Sequence, residues 1–154
     1  HNPIRKIPTL VVNKLAIIDS DNICLYLDSI SKKNTLFPKK KYWEIMSMTS
    51  IANGLMESVL ERRMEMIRPD SEKSNNFINK QEVRITRTIS WLENNWNNYD
   101  DSYLTMDQIA IACALDYTIY RFNDKWREHN TKLNKWFSNF LEKDFMKSTL
   151  PREK

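Results

Sequence analysis

Two short apolar runs, Ile7 to Val12 and Ala16 to Ile18, flank the dipeptide Asn13-Lys14 and predict a β-hairpin over residues 7–12 and 15–18. Asparagine tolerates the positive φ that a two-residue hairpin turn requires. Ile7, Leu10, Val11 and Val12 show almost no polar alternation, the pattern of a strand inside a sheet, so this strand is expected to have a further neighbour on its open side. Pro8 cannot donate to a ladder and belongs where its missing N–H is harmless or useful, which makes it a candidate functional bend. At Asp19 the pattern turns helical. A helix is predicted over about Asp19–Ser31, with Asp19 or Ser20 accepting first-turn N–H groups and Ile23, Leu25, Tyr26, Leu27 and Ile30 facing inward.

Residues 32–38, polar and closed by Pro38, read as a linker between a small α/β unit over 1–31 and a helical unit over 39–154. In the second unit Ile45, Met48, Ala52, Leu55 and Val59 recur at spacings of three and four and predict a helix over about Lys39–Ile67, stopping before Pro69. Ile78, Ile85, Ile89, Leu92 and Trp96 predict the next, about Ser74–Trp96, paired antiparallel with it. Thr105 and Gln108 form a capping box, and Ile109 through Leu115 leave no polar face, so a central helix packed on all sides is expected there. Leu133, Trp136, Phe137, Phe140 and Leu141 make one stripe of a helix over about Thr131–Lys143, followed by a polar, loosely specified tail from Asp144 to Lys154.

Composition narrows the possibilities without changing this outline. The 154 residues are enough for a real core, and a 41% apolar, 29% charged chain is ordinary for a globular protein. No apolar run approaches the ~18 residues of a membrane span, so no membrane association is expected. The net charge of +4 is dispersed, with Lys39-Lys40-Lys41 its one tight basic run, which gives nucleic-acid binding little support. Cys24 and Cys113 lack the spacing of a redox pair or a metal site and are expected as reduced thiols packed in the core of a cytoplasmic protein. His1 and His129 are too far apart for a local metal motif, and no metal is expected. The opening residue, His1, suggests a chain that begins inside a longer reading frame.

The glycine at position 54, the chain's single one, interrupts a helix at a cost of about 1 kcal/mol relative to alanine, which asks for close helix packing or room for a ligand. Met48, Ile51, Leu55 and Met56 around it suit either a core or an adaptable apolar pocket. Taken alone, Asp19-Ser20 reads as a helix cap.

In their order and spacing these segments resemble the cytosolic glutathione S-transferase family in its bacterial form, over essentially the whole chain. The resemblance rests on Asn2-Pro3 with Lys6-Ile7-Pro8-Thr9-Leu10, on Asp19-Ser20 with Ile23 and Tyr26-Leu27, and on Ala52 to Glu57 with Arg62 and Arg68-Pro69. It continues through Gln81, Arg87 to Glu93, Leu104-Thr105 with Gln108 to Ala110, Tyr117 with Arg121-Phe122, and Trp126-Arg127 with His129. Arg5 stands where that family usually has glycine, and Asn130 and Asp144 where it usually has proline.

The resemblance implies an α+β, mostly helical fold: a partial thioredoxin-like N-terminal domain of β-hairpin plus helix, then an all-α helical-bundle C-terminal domain. It implies a cis-proline at Pro8 that leaves the backbone of Ile7 free to pair with the cysteinyl backbone of glutathione. Ser20, at a helix N-terminus, would hold the γ-glutamyl carboxylate, and Asp19 the ammonium beside it. A hydrophobic electrophile would occupy the cleft between the domains, with Met48, Ile51, Leu55 and Met56 as pocket residues. Glutathione would be a co-substrate, with no metal, in a homodimeric transferase.

The family's thiol-activating serine, tyrosine or cysteine lies in an opening β-α-β segment of at least ~30 residues, and no residue here matches it. That segment is expected to be missing from the chain, which by itself is expected to lack activity. The unpartnered apolar strand agrees with this by an independent route. The parent protein is then expected to conjugate glutathione to electrophiles or reduce with it. The competing expectation is a non-catalytic protein-interaction module on the same scaffold.

Overall fold

A computed structural model describes residues 1–33, 35–97, 99 and 102–149 and divides into two compact units, His1–Tyr42 and Trp43–Lys154. In the first unit, β1 (Thr9–Val12) pairs antiparallel with β2 (Leu15–Ile18) in the register Thr9 to Ile18 through Val12 to Leu15. Asn13 and Lys14 both have positive φ, 47° and 71°, the conformation of the tight hairpin turn foreseen for them. Helix α1 (Ser20–Ile30) follows with Asp19 as its N-cap. Its Ile23, Leu25 and Tyr26 are half-buried, but Leu27 and Ile30, expected to face inward, are exposed, as are Ile7, Val11 and Leu15 of the hairpin. Among the described residues the sheet has these two strands only, so their outer faces have nothing to pack on. Asp28 ties the following segment back to α1, its Oδ1 accepting from the Leu36 N–H at 2.7 Å and its Oδ2 from the Thr35 hydroxyl.

The second unit is built from α2 (Tyr42–Met66), α3 (Asn75–Asn95), α4 (Met106–Arg121), α5 (Thr131–Leu141) and α6 (Asp144–Thr149). A 3-10 turn at Lys39–Lys41 leads into α2. Polar contacts record the antiparallel pairing of α2 and α3: Glu65 with Ser74 N–H at 2.7 Å, Arg62 with Glu82 at 2.7 Å, and Glu61 with Gln81 at 2.7 Å. Ile45, Ala52, Leu55 and Val59 from α2 and Ile78, Ile85, Ile89 and Leu92 from α3 are buried, so the stripes read from their spacing are the core. The capping box of Thr105 and Gln108 opens α4. None of the helices of the described residues is long and apolar enough to cross a membrane.

Four expectations for this architecture need correction. First, α4 is not enclosed all round: Cys113 is exposed, and with Ile109, Asp116 and Tyr120 it forms a stripe at helical spacing that opens outward. Second, neither cysteine packs in the core. Cys24 is half-buried, and burial, reinforced by the charge of Asp21, pushes its thiol pKa up. Third, the polar tail contains α6, anchored by buried Met146; its remainder, residues 150–154, lies outside the described residues.

The fourth correction concerns Gly54, which serves no close helix packing, since a Cβ built on it meets nothing within 4 Å. Its carbonyl also accepts from the Ser58 hydroxyl at 2.7 Å, a contact that does not depend on the missing side chain. Gly54→Ala is therefore expected to stabilise the protein by roughly 0.5–1 kcal/mol, because alanine lowers the entropy lost on folding and no atom stands in its way. Urea unfolding of the two proteins, compared at equal slope, measures the difference.

Candidate functional site

The residues before β1 form a loop organised by Asn2. Its Oδ1 accepts from the Ile4 N–H at 3.1 Å, its backbone carbonyl accepts from the Arg5 N–H at 3.1 Å, and its Nδ2 donates to the Lys6 carbonyl at 2.6 Å and to Thr9 Oγ1 at 3.1 Å. An asparagine followed by proline is a recognisable turn former, but nothing in the pattern announces that its amide reaches as far as Thr9. Arg5 adopts φ 54°, so an arginine holds the left-handed turn that glycine would adopt without cost.

This loop delivers Ile7-Pro8, whose peptide bond is cis. Ile7 is 94% exposed, and among the described residues its backbone N–H and C=O make no hydrogen bond. At the far end of β2, Asp19 takes φ 80° and ψ 135°, a backbone conformation that non-glycine residues rarely hold and that concentrates at ligand clamps. Its Oδ1 accepts from the Asp21 N–H at 3.0 Å. Asn22 Nδ2 donates to the Ile18 carbonyl at 3.1 Å and fastens the junction from the other side. Ser20, the first residue of α1, is exposed, and its hydroxyl has no partner among the described residues.

The register brings these two ends together. Thr9 pairs with Ile18, and Ile7 and Ser20 each lie two residues beyond that pair, at the same end of the hairpin. One end therefore offers a free backbone donor and acceptor at Ile7, a free hydroxyl and helix N-terminus at Ser20, and a carboxylate at Asp19 with one oxygen uncommitted. A helix N-terminus with a hydroxyl suits a carboxylate, and the adjoining Asp19 suits an ammonium, so the pair matches both charges of an α-amino acid group. The free backbone of Ile7 suits an extended peptide added as a strand.

The apolar candidates of the second unit are less uniform. Met48, Ile51 and Met56 are half-buried, whereas Leu55 is 1% exposed in the core and offers no surface to a ligand, because the α2 stripe it belongs to is the one packed against neighbouring helices. Ile51 lines a small cavity with Arg87, Thr88 and Trp91. Among the described residues no group of three or more His, Cys, Asp or Glu side chains is arranged so that it could hold a metal ion.

No protein-family model matches the chain. It is 24% identical over 156 residues to the uncharacterized GST-like protein YibF of Escherichia coli (strain K12), covering 97% of this chain and 77% of that one. Among solved structures, a glutathione transferase family member from Pseudomonas fluorescens Pf-5 with bound glutathione superposes with a TM-score of 0.93 at 28% identity, covering 99% of this chain and 77% of that one. The same family member with bound S-(propanoic acid)-glutathione gives 0.92 at 28%, covering 98% and 80%. A glutathione S-transferase from Methylobacillus flagellatus KT, solved with glutathione bound, shares the fold with a TM-score of 0.91 at 23% identity, covering 99% and 79%.

Proposed function

Since this chain is of the bacterial glutathione S-transferase type in sequence and fold, we propose that it binds glutathione at the hairpin end formed by Ile7, Pro8, Asp19 and Ser20. The observation that carries this reading is the register that sets the open backbone of Ile7 and the Asp19-Ser20 pair at one end of the same hairpin. In it, the N–H and C=O of Ile7 pair with the cysteinyl backbone, and Ser20 with the N-terminus of α1 holds the γ-glutamyl carboxylate. The free oxygen of Asp19 pairs with the ammonium.

The activity proposed for the protein is transfer of glutathione to a hydrophobic electrophile. The thiol loses its proton to solvent, the thiolate sulfur bonds to the electrophilic carbon, and the leaving group departs with the electron pair. The chain's assigned part is binding and orientation of the tripeptide; no residue is assigned to thiol activation. Met48, Ile51 and Met56 remain the proposed apolar contacts of the electrophile. Trp43, Leu60, Met64, Val83 and Trp91, exposed on α2 and α3 of the helical unit, support a homodimer, and two cysteines outside any disulfide suit a cytoplasmic setting.

Calorimetric titration with glutathione, followed by turnover of 1-chloro-2,4-dinitrobenzene, tests the reading. For the parent protein, saturable one-to-one binding with conjugation is the expected result, and absence of binding at millimolar glutathione overturns it. Binding without turnover favours the second reading, a non-catalytic module that keeps the scaffold for protein–protein assembly.

A further inference from the structure

The helical unit contains a cavity of about 310 Å³ that the glutathione reading does not use. Ile85 and Ile89 of α3, Phe122 at the end of α4 and the Trp126 ring give it apolar walls, and Lys125 and His129 are the ionisable side chains of its lining. Among the described residues no aspartate or glutamate lines it: Asp124 and Glu128, the acidic neighbours in the chain, are exposed outside that lining. We infer that this cavity is a second ligand site, which takes a flat aromatic carboxylate with its rings against Phe122 and Trp126 and its charge at Lys125.

Size, charge and rigidity argue for this together. The volume lies at the lower end of the range for small-molecule sites, about 300–1,000 Å³, which fits one or two fused rings. Lys125 has no ion-pair partner among the described residues, so its charge is available to an anion. The backbone that carries it is fixed by the chain around it. The Lys125 N–H donates to Asn123 Oδ1 at 3.0 Å, and the 3-10 turn Lys125–Glu128 closes through the Arg127 N–H on the Asp124 carbonyl at 3.0 Å. Below the turn, Asn130 is buried and donates from Nδ2 to the Trp126 carbonyl at 2.6 Å. Its own backbone N–H donates to the same carbonyl at 3.2 Å, a bond that proline could not make. Trp126 is 8% exposed, so its ring is a packed wall of the cavity. Aromatic walls with one cation at the rim select an aromatic anion over a neutral ring or a cation.

The site stands independently of glutathione binding, and the test separates the two. 2-Naphthoate is titrated calorimetrically into the protein with and without saturating glutathione, beside its neutral counterpart 2-naphthamide. One-to-one binding of 2-naphthoate that persists under saturating glutathione is expected, with the amide at least about fivefold weaker. Lys125→Met is expected to remove that preference, and Ser90→Trp, which fills the cavity from α3, to abolish binding of both. Displacement by glutathione, absence of binding at millimolar 2-naphthoate, or an unchanged preference in Lys125→Met overturns the inference. If Ser90→Trp does not fold, Lys125→Met and the amide comparison decide alone.

Discussion

Replacing Ser20 by alanine is expected to weaken glutathione binding at the proposed site by about 10- to 100-fold and to leave the unfolding midpoint unchanged. The first part follows from the hydrogen bond lost: one to a charged group is worth about 1.5–3 kcal/mol, and each 1.4 kcal/mol is about tenfold in affinity. The second follows from how α1 begins. Its cap is Asp19, whose Oδ1 accepts from the Asp21 N–H, while Ser20 is exposed and its hydroxyl holds nothing among the described residues. Asp19→Asn provides the complementary probe, because asparagine caps helices as well as aspartate and tolerates positive φ, but cannot pair with an ammonium. Its affinity is expected to fall roughly tenfold with stability retained. Calorimetry and thermal unfolding on the same preparations separate binding from folding. Unchanged affinity in both variants would mean that Asp19-Ser20 is a helix cap and nothing more.

Replacing Glu93 by alanine destabilises the protein by roughly 3–5 kcal/mol, lowering the thermal midpoint by about 10 °C for a chain of this size. Glu93 sits on α3, 8% exposed, and its carboxylate accepts from the N–H groups of Lys132 at 3.1 Å and Leu133 at 2.8 Å. Those are the second and third residues of α5, the donors a helix leaves unpaired at its start. Asn130, the residue in the cap position, gives α5 no side-chain cap and spends its amide on the Trp126 carbonyl instead. The cap therefore comes from another helix, and its negative charge faces the positive end of α5. Without it, two donors lose a charged acceptor, and the Leu133 N–H lies where water cannot replace it. Nearby, burial and then the Glu93 charge push the Tyr99 phenol up to about 12. Glu93→Gln keeps one acceptor oxygen and is expected to lose about half as much. A change below about 1 kcal/mol in Glu93→Ala would show that α5 is held by its apolar stripe alone.

Glu93 also shows where the reading of the chain stops. In the sequence it is one polar residue near the end of an amphipathic helix, with no local signal that residues 132–133 come to it. Trp96 and Asp107 are similar: the indole N–H donates to Asp107 Oδ2 at 3.0 Å, inside a cluster where the Trp96 and Trp136 rings meet edge to face. Each residue is unremarkable in its own segment. The same limit explains Leu55, proposed for a pocket and found in the core, since spacing says that a residue lies on an apolar face but not what covers that face.

What the sequence by itself determined is whatever closes within a few residues: the Asn13-Lys14 turn, a helix cap at Asp19 or Ser20, the capping box of Thr105 and Gln108, and the α2 and α3 stripes. Backbone sterics and hydrogen bonds between near neighbours settle these before any long-range contact forms. Their order along the chain also carried the resemblance to the glutathione S-transferase family. The tertiary structure alone decided which faces stay open and which distant groups meet: the empty space beside Gly54, the exposed stripe through Cys113, the Glu93 cap on α5, and the cavity behind Phe122 and Trp126. The physical reason is that burial and long-range pairing belong to the packing of whole helices, and a helix carries no record in its own sequence of how closely its neighbours approach.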